Sequence, residues 1–281
     1  MANIINAIIN LVNNPVSELR EIYARKNRAN SVGDALEEYV KDLFAGTFTT
    51  DNESDRLKKI SETFSYLGND SNPPDALLKN GDAIEVKKIE TNNSALALNS
   101  SYPKHKLFAN SGMISNSCRE AECWTEKDMI YVTGVVQKNI LKHLSMVYGL
   151  DYCASTQTYE RIKSIIKNGI ESIPNIELAE TNELGKLNKV DPLGITYLRV
   201  RGMWGIENPC KVFQYIYKRN MADNFNFMCI INDDKWNTFE NTRELLELST
   251  INDALIVSNV QVKNPDNPAQ LRKAKLIKFS M

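Results

Sequence analysis

Residues 73–88 read PPDALLKNGDAIEVKK, which places an aspartate, Asp75, directly after two prolines and then a glutamate and a lysine, Glu85 and Lys87, two residues apart. If 83–89 is a strand, period two sends Glu85 and Lys87 to one face and Val86 to the other, so the apolar residue enters a core while the charged pair converges on a site. Two carboxylates are hard oxygen ligands for a divalent cation. The backbone carbonyl of Val86 can complete the set and still leave positions for water and a phosphate oxygen. An ammonium beside them can orient or deprotonate an attacking water and offset the charge growing on a phosphorane-like transition state. The chemistry expected of such a group is Mg²⁺-assisted phosphodiester hydrolysis, with Asp75, Glu85 and the Val86 carbonyl as ligands and Lys87 at the water. The plainer alternative makes Asp75 a turn acid and Glu85 with Lys87 the solvated face of an edge strand.

The elements that must position these groups are a hairpin and a helix. Strands at 75–78 and 83–89 flank Lys79-Asn80-Gly81-Asp82, where Asn-Gly is a strong hairpin signal. An ideal two-residue turn would pair Asp75 with Val86 and split the site, so the register must shift by one, through a longer loop or a bulge, or Asp75 must sit at a bend. Residues 31–44 read as a helix, with Val32, Leu36, Val40, Leu43 and Phe44 at helical spacing, a capping pair in Ser31 and Asp34, and a stop at Gly46. On it Glu38 falls opposite the apolar stripe, while Glu37 flanks the stripe and leans toward whatever the helix covers.

Elsewhere the turn-rich stretch 68–74 is expected to break any regular element, and 129–136 and 142–152 read as covered strands. A helix is expected at 156–170 and a polar surface excursion at 171–189. Strands follow at 194–201, 211–217 and 227–231, with a short helix at 242–248. The fold class is α/β, a central mixed β-sheet flanked by helices with additional elements. We expect a single domain over 1–281, with a core at about 27–172 that carries the candidate catalytic residues and an elaboration at 173–281.

Composition excludes several classes. The chain has 281 residues, 42% hydrophobic and 25% charged, which rules out disorder, collagen and coiled coil. Lys and Arg number 34 against 35 Asp and Glu, so net charge gives no general case for nucleic acid, but two basic clusters stand out. One is Arg20, Arg25, Lys26 and Arg28; the other is Lys263, Arg272, Lys273, Lys275 and Lys278. The apolar N-terminus lacks a positive n-region and no stretch is long enough to span a bilayer, so no membrane association and a cytoplasmic protein are expected. Five scattered cysteines read as reduced thiols, and the distant His105 and His143 offer no zinc spacing.

The Asp75, Glu85-Val86-Lys87 pattern resembles that of the PD-(D/E)xK nucleases, in which a helix acid such as Glu37 also comes earlier in the chain. The resemblance goes further. Segments NRANSVGDALEEYVKDLFAG (27–46), PPDALLKNGDAIEVKKIE (73–90), ALALNSSYPKHKL (95–107) and VYGLDYCA (147–154) resemble the NgoPII family of type II restriction endonucleases. That resemblance implies a restriction-endonuclease-like fold and Mg²⁺-dependent cleavage of double-stranded DNA at the palindrome GGCC, alongside a cognate DNA methyltransferase. Asp75, Glu85 and Lys87 match the family's catalytic motif. The alternatives are a repair or recombination nuclease of the same superfamily and a non-catalytic DNA-binding module; the intact motif speaks against the latter.

Two further groups are candidates for DNA contact. Ser101, Tyr102, Lys104 and His105 mix hydroxyls, an aromatic ring and cations soon after the catalytic strand, and could grip phosphates, although a plain polar loop accounts for them equally well. Arg199 and Arg201, on one face of an expected strand, are suited to guanine O6 and N7 in the major groove. Trp204 and Trp236 read as core. A two-fold symmetric target is most simply read by a homodimer.

Overall fold

Asn3 starts the described fold. Its side chain accepts the Ile5 and Asn6 amides and opens helix α1 (Ile4–Asn13), which buries Ile4, Ile5, Ala7, Ile8, Leu11 and Val12. The computed structural model describes residues 2–19, 23, 31–50, 52–69, 72–98, 101–174, 177–181 and 183–281, so the basic cluster at 20–28, and Ser100, lie outside the described residues. Helix α2 (Val32–Ala45) is capped by Ser31 with Asp34 in return and ends at Gly46, whose φ of 63° suits glycine, as the sequence predicts. Helix α3 (Glu53–Thr63) leads directly into the sheet.

The strands follow as β1 (Phe64–Asn69), β2 (Asn72–Leu78), β3 (Ala83–Ile89), β4 (Leu96–Ala97) and β5 (Lys106–Phe108). After helix α4 (Asn116–Glu120) come β6 (Glu126–Gln137), β7 (Ile140–Tyr148), helix α5 (Gly149–Tyr152) and helix α6 (Thr156–Glu171). Then come β8 (Glu177–Leu178), β9 (Gly185–Asn188), β10 (Leu198–Val200), β11 (Gly205–Ile206) and helix α7 (Pro209–Val212). Strand β12 (Asn226–Asn232), helices α8 (Asp233–Trp236) and α9 (Thr242–Ile251), and strands β13 (Leu255–Asn264) and β14 (Asn267–Ser280) complete the order.

Nine strands form one mixed sheet in the order β1-β2-β3-β6-β7-β12-β14-β13, with β5 pairing β6 off that path. The β3–β6 and β7–β12 pairs are parallel and the rest antiparallel. Helices α1 and α2 cover one face with a core that includes Leu36, Ile84, Val86 and Val132. The other face packs Leu107, Tyr131, Val147, Tyr152 and Phe213. Val86 therefore enters the first core, and Glu85 and Lys87 face the other side, the partition that strand alternation predicts. A small sheet β10-β9-β8 and a two-stranded pair β11-β4 stand apart from the main one.

Several expectations need correction. In the stretch 68–74, of which 70 and 71 lie outside the described residues, the rest is strand: β1 runs to Asn69 and β2 starts at Asn72, through both prolines, because the β1–β2 ladder shifts register between Leu67 and Asn69 and asks no hydrogen bond of them. The run 142–152 is a strand only to Tyr148, and Gly149 turns it into α5. Residues 211–217 are not a strand. The Asn208 side chain caps the Lys211 amide and Pro209 occupies the first helical position, so α7 and turns replace it. The excursion at 171–189 is exposed at 171–174 and through β8, but β9 buries Gly185 and Leu187. Sequence reading missed the long β13–β14 hairpin altogether.

Candidate active site

The register of the β2–β3 hairpin decides whether a site exists. The Leu78 amide donates to the Asp82 carbonyl at 2.9 Å, the Gly81 amide to the Leu78 carbonyl at 2.9 Å, and Asn80 takes a φ of 55°, so the loop is the three residues Lys79-Asn80-Gly81. Ala76 then pairs with Ile84 and Leu77 with Ala83. One step outward Asp75 lies opposite Glu85, where the ladder stops, and the Asp75 carboxylate takes the Val86 amide at 2.6 Å. Lys87 Nζ reaches Glu85 Oε1 at 2.6 Å and Asp75 Oδ2 at 3.9 Å. One ammonium thus touches both carboxylates. Behind Asp75, a Cβ on Gly68 would come 2.5 Å from the Pro74 carbonyl and 2.9 Å from the Asp75 Cα, so β1 can pass there only as glycine.

Burial pushes the Asp75 carboxyl up to about 7, reinforced by the charges of Glu85 and, more weakly, Glu37, against the pull of Lys87 and the Val86 amide. Burial would lower Lys87, but Glu85 and then Asp75 hold it above the ordinary lysine range. Glu85 Oε2 is buried and has no hydrogen-bond partner among the described residues. Two enclosed carboxylates facing one ammonium, with an oxygen left over, are short of positive charge, and the residues present fit a divalent cation. Among the described residues no three His, Cys, Asp or Glu side chains gather closely enough to hold a metal by themselves. Backbone and water must supply the remaining positions.

The neighbouring loop brings a second cation. Lys104 is only 6% exposed. Its amide donates to the Tyr131 hydroxyl at 2.7 Å, and its ammonium reaches Ser101 Oγ and the Tyr102 carbonyl while lying 5.4 Å from the Tyr102 ring centre. Burial lowers its pKa to about 8, with the Glu85 carboxylate foremost among the charges that raise it, which places Lys104 within electrostatic reach of the metal-type site. Gly149 makes this seat possible, since a Cβ there would overlap the Lys104 and His105 carbonyls. Tyr102 in turn stacks on Tyr159 with centroids 5.5 Å apart and meets Trp204 edge-on.

The profile of the NgoPII restriction endonuclease family matches residues 2–263. The chain belongs to the NgoPII restriction endonuclease family. It is 60% identical over 280 residues to the type II restriction enzyme NgoPII of Neisseria gonorrhoeae, covering 99% of this chain and 100% of that relative. No solved structure matches. Among the described residues no helix is long and apolar enough to cross a membrane.

Within this restriction endonuclease the sequence-predicted residues do not all converge. Asp75, Glu85, Lys87 and the Val86 backbone meet, Glu37 acts on Asp75 and Lys87 through its charge, and Ser101, Tyr102 and Lys104 share the next loop. His105 turns away toward Thr156, whose Oγ1 is 3.5 Å from its Nδ1, and burial holds its pKa below the ordinary range. Arg199 and Arg201 both grip Glu183, at 2.7 Å each, on the small separate sheet. The C-terminal basic cluster is largely engaged in structure. Lys263 lies over Tyr215, Arg272 bonds the Leu150 carbonyl and faces Asp151, and Lys275 meets Asp233 and Trp236. Trp236 is buried, while Trp204 is half-buried in the Tyr102–Tyr159 cluster. All five cysteines are free thiols. Sequence reading missed Tyr131 and Gly149; the signals were a phenol in the apolar run MIYVTGVV and a glycine directly after β7.

Proposed function

We propose that this restriction endonuclease hydrolyses phosphodiester bonds in both strands of double-stranded DNA at the palindrome GGCC, with Mg²⁺. The reading rests on one observation: Asp75 and Glu85 face each other beside Lys87, with a buried Glu85 oxygen that lacks a hydrogen-bond partner among the described residues. The ion would be held by Asp75, Glu85 and the Val86 carbonyl. Bound there, Mg²⁺ supplies Lewis acidity and a more acidic water. The rest is work for this chain's own groups. Lys87, pinned between the two carboxylates, orients the attacking water and offsets charge on the phosphoryl oxygens. Asp75 takes the Val86 amide, which fixes its carboxylate toward Glu85. Lys104 and Ser101 grip the phosphate next to the scissile bond, with Tyr102 and His105 completing that loop, and Glu37 adds negative charge at the rim.

GGCC comes from the resemblance alone, with Arg199 and Arg201 as candidates for guanine contact. A palindrome is most simply read by a two-fold dimer, and Ile162, Ile165 and Ile166 on α6 are exposed apolar residues open to a second copy. We further propose one catalytic unit over 1–281, a cognate DNA methyltransferase that protects the host's own sites, and a cytoplasmic location. The test is incubation with phage-sized DNA and Mg²⁺. Discrete fragments with ends mapping to GGCC, and none after methylation of that site, are expected. A smear or intact DNA overturns the reading, whereas ends at another palindrome overturn only the specificity.

A further inference from the structure

Helix α6 is anchored near its two ends, where Tyr159 stacks on Tyr102 and Ile170 packs against Gly185, but the isoleucines between them do not serve a core. None of its 16 residues is fully buried, and Ile162, Ile165 and Ile166 are 40%, 61% and 42% exposed. At 100° per residue its Thr156, Glu160, Lys163, Ser164 and Lys167 fall on the opposite side. That polar side lines a cleft of about 550 Å³ whose other wall is the Tyr102–Lys104 loop and β5 with the turn that follows it. Between those anchors the helix turns a polar face to the cleft and isoleucines to water, which is an arrangement for a wet, charged occupant of the cleft.

The charges in the cleft specify the occupant's sign. Four lysines line it, Lys104, Lys106, Lys163 and Lys167, against two acids, Glu160 and Glu183. Lys104 is buried, and among the described residues its ammonium meets a hydroxyl and a carbonyl rather than a carboxylate. Among the described residues Lys163 and Lys167 hold only loose pairs, at 4.0 Å to Glu160 and 3.7 Å to Glu171. Their spacing of one helical turn is about 6 Å along the axis, close to the rise of two steps along a DNA strand at about 3.4 Å each. Lys104 lines this cleft and its amide is held by Tyr131, the residue that pairs with Glu85 across the β3–β6 ladder, so the cleft lies on the same side of the sheet as the site carboxylates.

We propose that this cleft carries the sugar-phosphate backbone of the DNA substrate as it leaves the scissile bond, with Lys163 and Lys167 contacting its phosphates. The inference rests on the nuclease reading above. It is tested on the full chain with a short duplex containing GGCC, in Ca²⁺ so that cleavage is suppressed, by measuring affinity across a salt series. Each lost phosphate contact lowers the slope of log affinity on log salt by about 0.9, so Lys163→Ala/Lys167→Ala is expected to lower it by about 2 and to weaken binding about tenfold or more. The pair Lys58→Ala/Lys59→Ala, exposed on α3, is expected to keep both. An unchanged slope and affinity in the first variant, an equal loss in the second, or an altered oligomeric mass with unaltered DNA binding would each overturn the cleft assignment. If the first variant loses its thermal transition, Lys163→Gln/Lys167→Gln is subject to the same expectation. Failure of the wild-type chain to bind or cut any duplex would instead overturn the nuclease reading beneath it.

Discussion

Asp75 and Glu85 stand opposite each other because three residues, Lys79, Asn80 and Gly81, turn the chain between Leu78 and Asp82. Side-chain parity makes this pairing decisive: were Lys79 paired with Asp82 across a two-residue turn, the aspartate would fall on the far face of the sheet. Deleting Asn80 leaves Lys79 and Gly81 as a two-residue loop with Leu78 still opposite Asp82, so cleavage is expected to persist within about tenfold of wild type. Loss of cleavage with far-ultraviolet circular dichroism and cooperative unfolding intact would show that the facing of the two carboxylates is not what the loop provides.

Removal of either charged partner on β3 should separate chemistry from binding. Glu85→Ala is expected to lose cleavage and to keep DNA binding in Ca²⁺, because a ligand carboxylate contributes few phosphate contacts. Lys87→Ala should slow single-turnover cleavage by about 10² to 10⁴ while retaining metal binding. Full activity in the first variant sinks the metal assignment, and in the second it removes the lysine from the mechanism.

The raised Asp75 carboxyl also predicts a pH signature in metal-free protein. Folding lifts this group from 3.8 to about 7, so between those values the native state holds a proton that the unfolded chain has released. Stability must then fall as pH rises through that window, by up to a few kcal/mol, because each tenfold change in proton affinity is worth about 1.4 kcal/mol. Asp75→Asn keeps an acceptor for the Val86 amide but cannot titrate. The difference in urea stability between wild type and Asp75→Asn should decline from pH 4 to 7, and added Ca²⁺ should flatten it. A difference that stays constant in metal-free buffer would mean that the carboxyl is not held protonated.

Tyr131→Phe tests the support of the flanking loop. It strips the Lys104 amide of its 2.7 Å acceptor in a buried setting. The expected cost is about 1 to 3 kcal/mol in urea unfolding, with weaker DNA binding, since the loop that carries Ser101, Tyr102 and Lys104 loses its anchor. Wild-type stability and affinity together would show that the loop is held by other contacts.

Local signals carried much of this. Ser31, Asp34 and Gly46 mark α2 to within a residue at each end, and the alternation of Glu85, Val86 and Lys87 states which face each must take. The need for a shifted register followed from parity alone, although the loop length that supplies it did not. What stayed hidden depends on distant partners. Strand β2 can run through two prolines because β1 slips register beside it, and 211–217 is diverted from strand by a cap at Asn208. Lys104 looks like an ordinary loop lysine until Tyr131, 27 residues away, is seen to hold its backbone. Arg199 and Arg201 do share a side, but Glu183, which they grip, is invisible to strand periodicity.

Gly68 and Gly149 set how this enzyme can change. Each lies where a single added carbon would strike backbone, that of Pro74 and Asp75 in one case and that of Lys104 and His105 in the other. Backbone cannot yield as a flexible side-chain tip can, so a methyl group at either position displaces a functional segment that it never chemically touches. In a random library screened for altered target choice, these two positions should return as inactive alleles with sound expression, while exposed positions on α3 such as Lys58 and Lys59 tolerate broad replacement. New specificities are thus to be sought on the small sheet and along α6, and the Asp75–Glu85 hairpin and its neighbouring loop are closed to exploration from behind.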